Sequence, residues 1–289
     1  MLRIPAVLSL AFVLAPLAAQ EKHSLRYTFK PGHVCWIEQT MDMTQEMTVG
    51  ENQMKMTQLS TTWLETTTGD VKDGVASVEQ RYSRIKAASE AMGQKSDYDS
   101  DVPGSKPSGP LAGVAKMIGK TTKMRVDATG KVVDVTADPE TTKALEQMGS
   151  SLKEGTEMSV LVLPKDPIAV GETWAHEQRF PMGPAGEMKA KMTHKLVAVK
   201  GRVATVETSM EIDTSAVKIP GGVKLVADKS TGAFEVSLDE GLPISGHTEM
   251  VLRTSEDSPM QMKMTIRQAT KQVPAPAKKE APKEAAGGK

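Results

Sequence analysis

The sequence predicts an α+β chain that is mostly β, built on one large antiparallel sheet with a few central helices packed on it. Two observations predict this. Apolar and polar residues alternate over long runs in both halves of the chain, and short Gly-, Asp- and Lys-bearing turns separate those runs. Helix-start signals occur only near the middle.

The N-terminus comes first. Arg3 precedes an apolar run, Ile4–Leu14, broken only by Pro5 and Ser9, and the small-residue segment Ala15-Pro16-Leu17-Ala18-Ala19-Gln20 follows. Charge, apolar core and small residues in that order predict a secretion signal over residues 1–20, cleaved after Ala19 or Gln20. The run is too short to span a bilayer as a helix, which needs roughly 20 residues. No cysteine lies near the cut, so release without a lipid anchor is expected, in the periplasm or outside the cell. No later stretch is apolar enough to form a transmembrane segment.

A β-rich domain is expected over 21–271. Leu25–Phe29 alternates and ends at the turn Lys30-Pro31-Gly32. Val34–Val49 is a long strand with Cys35, Ile37, Gln39, Met41, Met43, Gln45 and Met47 on one face. Its return strand starts near Met54 and runs through threonines to about Thr68, and a third strand covers Val75–Ile85. These make a meander, apolar on one side and polar on the other. Val102–Gly113 reads as a loop and Leu111–Ile118 as a short helix. Lys123–Val135 is a hairpin around Asp127-Ala128-Thr129-Gly130. Asp138 caps a helix that has Pro139 in its first position and runs to about Leu152. Ser159–Leu163 fits strand or helix. Strands return at Met188–Lys200, Val203–Thr214, Lys224–Asp228, Gly232–Leu238, Ile244–Thr254 and Met260–Thr270. Residues 272–289, rich in Pro, Ala, Lys and Glu, are expected to be a disordered tail.

Composition narrows the function. The 36 basic and 36 acidic residues balance, which leaves no basic stripe for nucleic acid. Cys35 is the single cysteine, expected in the core. Methionine reaches 19 residues while aromatics are only 3%. Met41/Met43, Met54/Met56, Met188 with Met192, and Met260/Met262/Met264 sit at even spacings, which on strands share a face. Three readings stay open: core packing, an apolar groove for a lipid or acyl chain, and Cu(I) binding by thioethers. Asp97-Tyr98-Asp99-Ser100-Asp101 opens like a calcium loop but lacks the Gly and Glu that complete one. Gly113 to Lys120-Thr121 misses the P-loop spacing. His23, His33, His176, His194 and His247 form no close metal pair in the sequence, and no G-x-S-x-G elbow exists. No catalytic residue, metal site or cofactor is therefore expected.

Several segments carry a family resemblance: Leu25-Arg26-Tyr27-Thr28-Phe29-Lys30-Pro31-Gly32, Asp70–Tyr82, Tyr98-Asp99-Ser100, Val126–Val132, and Leu163-Pro164 with Val170-Gly171-Glu172-Thr173-Trp174. Over about Leu25 to Thr270 the chain resembles a group of uncharacterised exported bacterial domains. These are similar in outline to the lipoprotein-carrier (LolA/LppX-like) fold. The resemblance implies a strongly curved, unclosed half-barrel with helices plugging its concave side, and an apolar cavity able to accept lipid. The expected function is thus exported, non-enzymatic binding of a lipid or other apolar ligand between sheet and helices. Met41, Met43, Met54, Met56, Met192, Met260, Met262 and Met264 are the candidate lining. The rival readings are an interaction module contacting another envelope component, and periplasmic Cu(I) binding through the Met pairs.

Overall fold

The computed structural model describes residues 21–108, 111–147, 152–157, 160–181, 185–219, 221–228 and 230–276. The expected signal (1–20), most of the expected tail, and Met148 lie outside them.

Period-two alternation becomes strand nearly throughout. In chain order the strands are β1 (Lys22–His23), β2 (Val34–Val49), β3 (Asn52–Lys72), β4 (Val75–Ala91), β5 (Gln94–Asp99), β6 (Thr121–Asp127), β7 (Val132–Ala137), β8 (Ile168–Ala169) and β9 (Thr173–Pro181). They continue with β10 (Glu187–Lys200), β11 (Val203–Asp213), β12 (Leu225–Ala227), β13 (Ser230–Ser237), β14 (Pro243–Thr254) and β15 (Gln261–Val273). All but β1 and β8 belong to one antiparallel sheet, whose main path is β7-β6-β4-β3-β2-β15-β14-β13-β11-β10-β9. The first and last long strands, β2 and β15, pair at its centre, from Trp36 opposite Val273 to Thr48 opposite Gln261. The sheet is not closed: β7 and β9 are its two edges.

The sheet curls because one of its faces is apolar and must be buried. β13 and β14 approach closely where two glycines, Gly232 and Gly246, sit on these adjacent strands. A Cβ on Gly246 would lie 2.2 Å from the ring of Phe234, its direct cross-strand partner. A Cβ on Gly232 would lie 2.6 Å from the His247 carbonyl. Glycine in a strand interior marks such close approaches. The outward face is polar: Lys271 pairs with Glu38 at 2.8 Å, and Arg84 lies over the Trp63 ring while bonding Asp99 at 2.7 Å.

The expected layer of central helices does not form. Among the described residues helix is confined to α1 (Leu111–Ala115), α2 (Pro139–Gln147) and α3 (Leu152–Glu157), of five, nine and six residues. Helices this short present no continuous apolar stripe. Asp138 does cap α2, accepting from the Thr141 amide at 3.0 Å. The concave side is covered instead by two extended segments, Leu25–Phe29 and Val160–Leu163. Tyr27 Oη donates to the Leu161 carbonyl at 2.9 Å, and Trp174 Nε1 donates to the Val162 carbonyl at 2.9 Å. The expected Asp127–Gly130 turn holds both segments: the amides of Tyr27 and Leu163 donate to Ala128 and Thr129 at 2.9 and 2.8 Å. Gly130, with φ of 86°, passes so close that a Cβ would sit 2.4 Å from the Leu161 carbonyl. Leu25, Tyr27, Leu161, Leu163 and Ile168 pack there on Leu196, Val206 and Val236 of the sheet. Helix α3 lies against both β7 and β9, bridging the two sheet edges.

Other expectations shift. Leu25–Phe29 is extended but joins no ladder, because its amides bond loops. β4 is longer than Val75–Ile85 and turns at Met92-Gly93 into β5. Residues 160–163 are neither strand nor helix, and Met260 lies in a bend before β15. No helix among the described residues is long and apolar enough to cross a membrane.

Candidate functional site

The curled face encloses a cavity of about 210 Å³. By the same measure a single water needs only about 10–15 Å³. Tyr27, Phe29 and Val160–Val162 form its roof. Leu64, Val78 and Met124 line it from the first half of the sheet, and Met192, Met210 and Phe234 from the second. The floor is not uniformly apolar. Cross-strand register places Gln268, Thr248, Gly232, Thr208 and His194 in one row across β15, β14, β13, β11 and β10. Gln39, opposite Thr270, continues this polar band on β2 and β15.

At the band's β10 end three rings stack. His194 lies between Trp174 and His176, with centroid separations of 5.1 and 5.2 Å. His194 Nδ1 is 2.7 Å from Thr208 Oγ1, and its Nε2 is 3.3 Å from His176 Nδ1. Burial, with a further push from His176, holds the His194 pKa down at about 3, and burial also lowers that of His176. Both rings are therefore neutral at physiological pH. Gln178 Nε2 is buried and has no hydrogen-bond partner among the described residues, so it presents a donor to the interior.

The candidate methionines divide. Met192 lines the cavity. Met41, Met43, Met54, Met56, Met262 and Met264 lie on the same inward face: they continue the alternation of Ile37 and Gln39 on β2, Leu64 and Thr66 on β3, and Gln268 and Thr270 on β15. They sit beyond the band, towards the Gly50-Glu51 turn, outside the cavity lining; Met41 is 36% exposed and the others are half-buried. Gln45 Nε2 donates to Met262 Sδ at 3.3 Å. Met260, outside the strand, does not belong to this row. Met47, opposite both Met54 and Met262, does, and so does Met250, opposite Ile266.

Cys35, expected in the core, is half-buried and lines the cavity, where burial and the nearby Glu240 carboxylate push its thiol pKa up. That disfavours a reactive thiolate. The histidine pair was not visible as a sequence motif, since His176 and His194 meet only through the β9–β10 register. The usable signal was the alternation Trp174, His176, Gln178 facing Met192 and His194. No group of three or more His, Cys, Asp and Glu side chains able to hold a metal occurs among the described residues.

Residues 141–243 match the model of a family described as of unknown function, DUF6263. This stretch includes the ring stack and the second half of the sheet up to the first residue of β14. No curated protein matches the sequence. Among solved structures, one of lipovitellin, reported for its lipid–protein interactions, is similar with a TM-score of 0.54 at 13% identity, over 88% of this chain. The chain spans only 27% of that lipovitellin chain. The likeness is one of fold: a large antiparallel sheet. DynF of the dynemicin pathway of Micromonospora chersina (8% identity, 88% and 86% of the two chains) and the translocator domain of the Neisseria meningitidis autotransporter NalP (7%, 84% and 88%) score only 0.22 and 0.21. Scores that low add nothing to the fold. Lipoprotein carriers are not among these similar structures.

Proposed function

We propose that the protein is an exported, non-enzymatic binding protein that holds a lipid or similar apolar ligand inside its curled sheet. One observation carries this reading: an apolar-roofed cavity and, beyond its polar band, a methionine-rich stretch of the same sheet face whose side chains are only part-buried or, at Met41, exposed. A plain structural module would bury that face. Methionine is flexible and polarizable, so a Met-lined wall adapts to chains of differing shape. The similarity in fold to lipovitellin, a protein described by its interactions with lipid, supports the same reading.

The test is uptake by the mature chain. Native mass spectrometry after gentle purification, or after incubation with mono- and diacylglycerols, fatty acids and phospholipids, is expected to show a one-to-one adduct. Met192→Glu, which puts a charge on the cavity wall, is expected to remove it. A chain that stays empty with every lipid offered overturns the proposal.

A further inference from the structure

The cavity has a chemical character that apolarity alone does not describe. One residue in four of the chain is charged, yet no Asp, Glu, Lys or Arg lines the cavity. The charges of the strands that build it lie on the opposite face: Glu38 and Asp42 on β2, Glu249 on β14, and Lys263, Arg267 and Lys271 on β15 alternate with the inward residues. What lines the interior besides hydrocarbon is uncharged and polar: amides and hydroxyls such as Gln39, Gln80, Gln178, Thr248, Gln268 and Thr270, with the Cys35 thiol and the imidazoles of His33, His176, His194 and His247.

These groups are ordered in space. The Gln268–Thr248–Thr208–His194 row crosses five strands. Phe234, Val206 and Leu196 flank it on the roofed side, each one step along its strand from the row. Met43, Ile266, Met250, Met210 and Met192 flank it on the open side. On β10 and β11 the inner face therefore reads apolar, polar, apolar along the strands; Met192 and the buried Met210 still line the cavity, and the methionine rows of β2, β3 and β15 lie beyond it. Amides and hydroxyls both donate and accept, so they match hydroxyl, ester and amide groups. A buried carboxylate or phosphate needs an opposite charge, and without one its desolvation costs several kcal/mol.

We infer that the cavity selects an uncharged amphiphile, such as an acylglycerol, with its hydroxyl or ester head on the Gln268–Thr248–Gln39 band and its hydrocarbon tail along the methionine rows. This rests on the lipid-binding reading above and adds its selectivity. The buried Gln178 amide, without a hydrogen-bond partner among the described residues, is a second donor aimed into the same space.

The experiment compares a monoacylglycerol with the fatty acid of the same acyl chain, each displacing a neutral solvatochromic probe from the mature protein. It is run at about pH 8, where a carboxylic acid in water is ionised. The monoacylglycerol is expected to bind about tenfold tighter or more, the size expected for one or two hydrogen bonds against an unpaired buried charge. Gln268→Lys, which places an ammonium on the band, is expected to abolish or invert that preference. Should Gln268→Lys fail to fold by near-ultraviolet circular dichroism, the double variant Gln39→Leu/Thr248→Val is used instead. It is expected to weaken the monoacylglycerol about tenfold more than it weakens the fatty acid, with each affinity corrected for the probe's own affinity in the variant. Fatty acid binding as tightly as monoacylglycerol, or an unchanged preference in the variant that folds, overturns this inference and leaves lipid binding standing. Displacement by neither ligand, with no lipid adduct in native mass spectra, overturns both.

Discussion

His194 Nε2 lies 3.3 Å from His176 Nδ1, and the other nitrogen of the same ring lies 2.7 Å from Thr208 Oγ1. A neutral imidazole donates from one nitrogen and accepts at the other. The Thr208 hydroxyl and a neutral His176 can partner either nitrogen, so it is burial away from water, with the neighbouring His176, that keeps His194 uncharged. Its pKa of about 3 in the folded chain is far below the ordinary value of 6.5. The unfolded chain consequently binds a proton that the folded chain refuses, and stability falls as pH drops below about 6.5, continuing towards pH 3. The expected loss between pH 6.5 and pH 5 from this ring is about 2 kcal/mol, and His176, shifted the same way, adds to it. Urea denaturation at the two pH values checks this, and His194→Gln is expected to lose this ring's share of the stability difference between pH 6.5 and pH 5.

Thr208→Val keeps the shape of the side chain and removes the hydroxyl. One nitrogen of a fully buried ring then has no partner, which costs about 1–3 kcal/mol. The denaturation midpoint is expected to fall accordingly, with the slope unchanged.

Gly246 lets β13 and β14 approach closely, because the Phe234 ring occupies the place of a side chain there. Gly246→Ala is expected to destabilise by about 1–3 kcal/mol through overpacking. Phe234→Leu in the same chain relieves the clash, so a double-mutant cycle is expected to show a favourable coupling energy of about 1 kcal/mol or more. Purely additive effects would count against this account of the close approach.

The roof hangs from two side-chain hydrogen bonds, Tyr27 to Leu161 and Trp174 to Val162. Tyr27→Phe and Trp174→Phe are each expected to cost about 1 kcal/mol. Hydrogen exchange supplies the local readout: the Leu163 amide, held by the Thr129 carbonyl, is expected to exchange faster in both variants.

Expressed with its own N-terminus in a bacterium, the protein is expected outside the cytoplasm, beginning at Gln20 or Glu21. N-terminal sequencing decides between the two. A chain that keeps Met1 would contradict the export proposal.

Local patterns made much of this fold legible. Val34–Val49 alternates without interruption, and the strand has those bounds; Asp127–Gly130 and Asp138-Pro139 acted as turn and cap as their chemistry requires. The helices were overestimated because α2 and α3 carry enough polar, capped sequence to start a helix but too little length to cover a sheet. The end of β4 and β5 were missed because Ile85–Ala91 is rich in Ala and Gln94–Asp99 is mostly Gln, Lys, Ser and Asp, which signal strand poorly. The methionines gave the correct face but not the position along it. The cavity depends on which strands lie opposite one another, and His176, His194, Gln268 and Gln39 converge only after the two ends of the chain pair. No spacing within a single segment encodes that.

The six-residue helix α3, seated against both β7 and β9, has a mechanical consequence. A fully closed barrel resists widening with a complete ring of backbone hydrogen bonds, and enlarging its lumen means breaking rungs. Here the circumference has a seam between β7 and β9, spanned by one short helix and by the Val160–Leu163 segment, which bonds the Thr129 carbonyl on one side and Trp174 on the other. Parting it breaks those few bonds and leaves every rung of the sheet intact, so the wall can breathe like a buttoned cuff. A bulky guest therefore needs no unfolding of the sheet to enter.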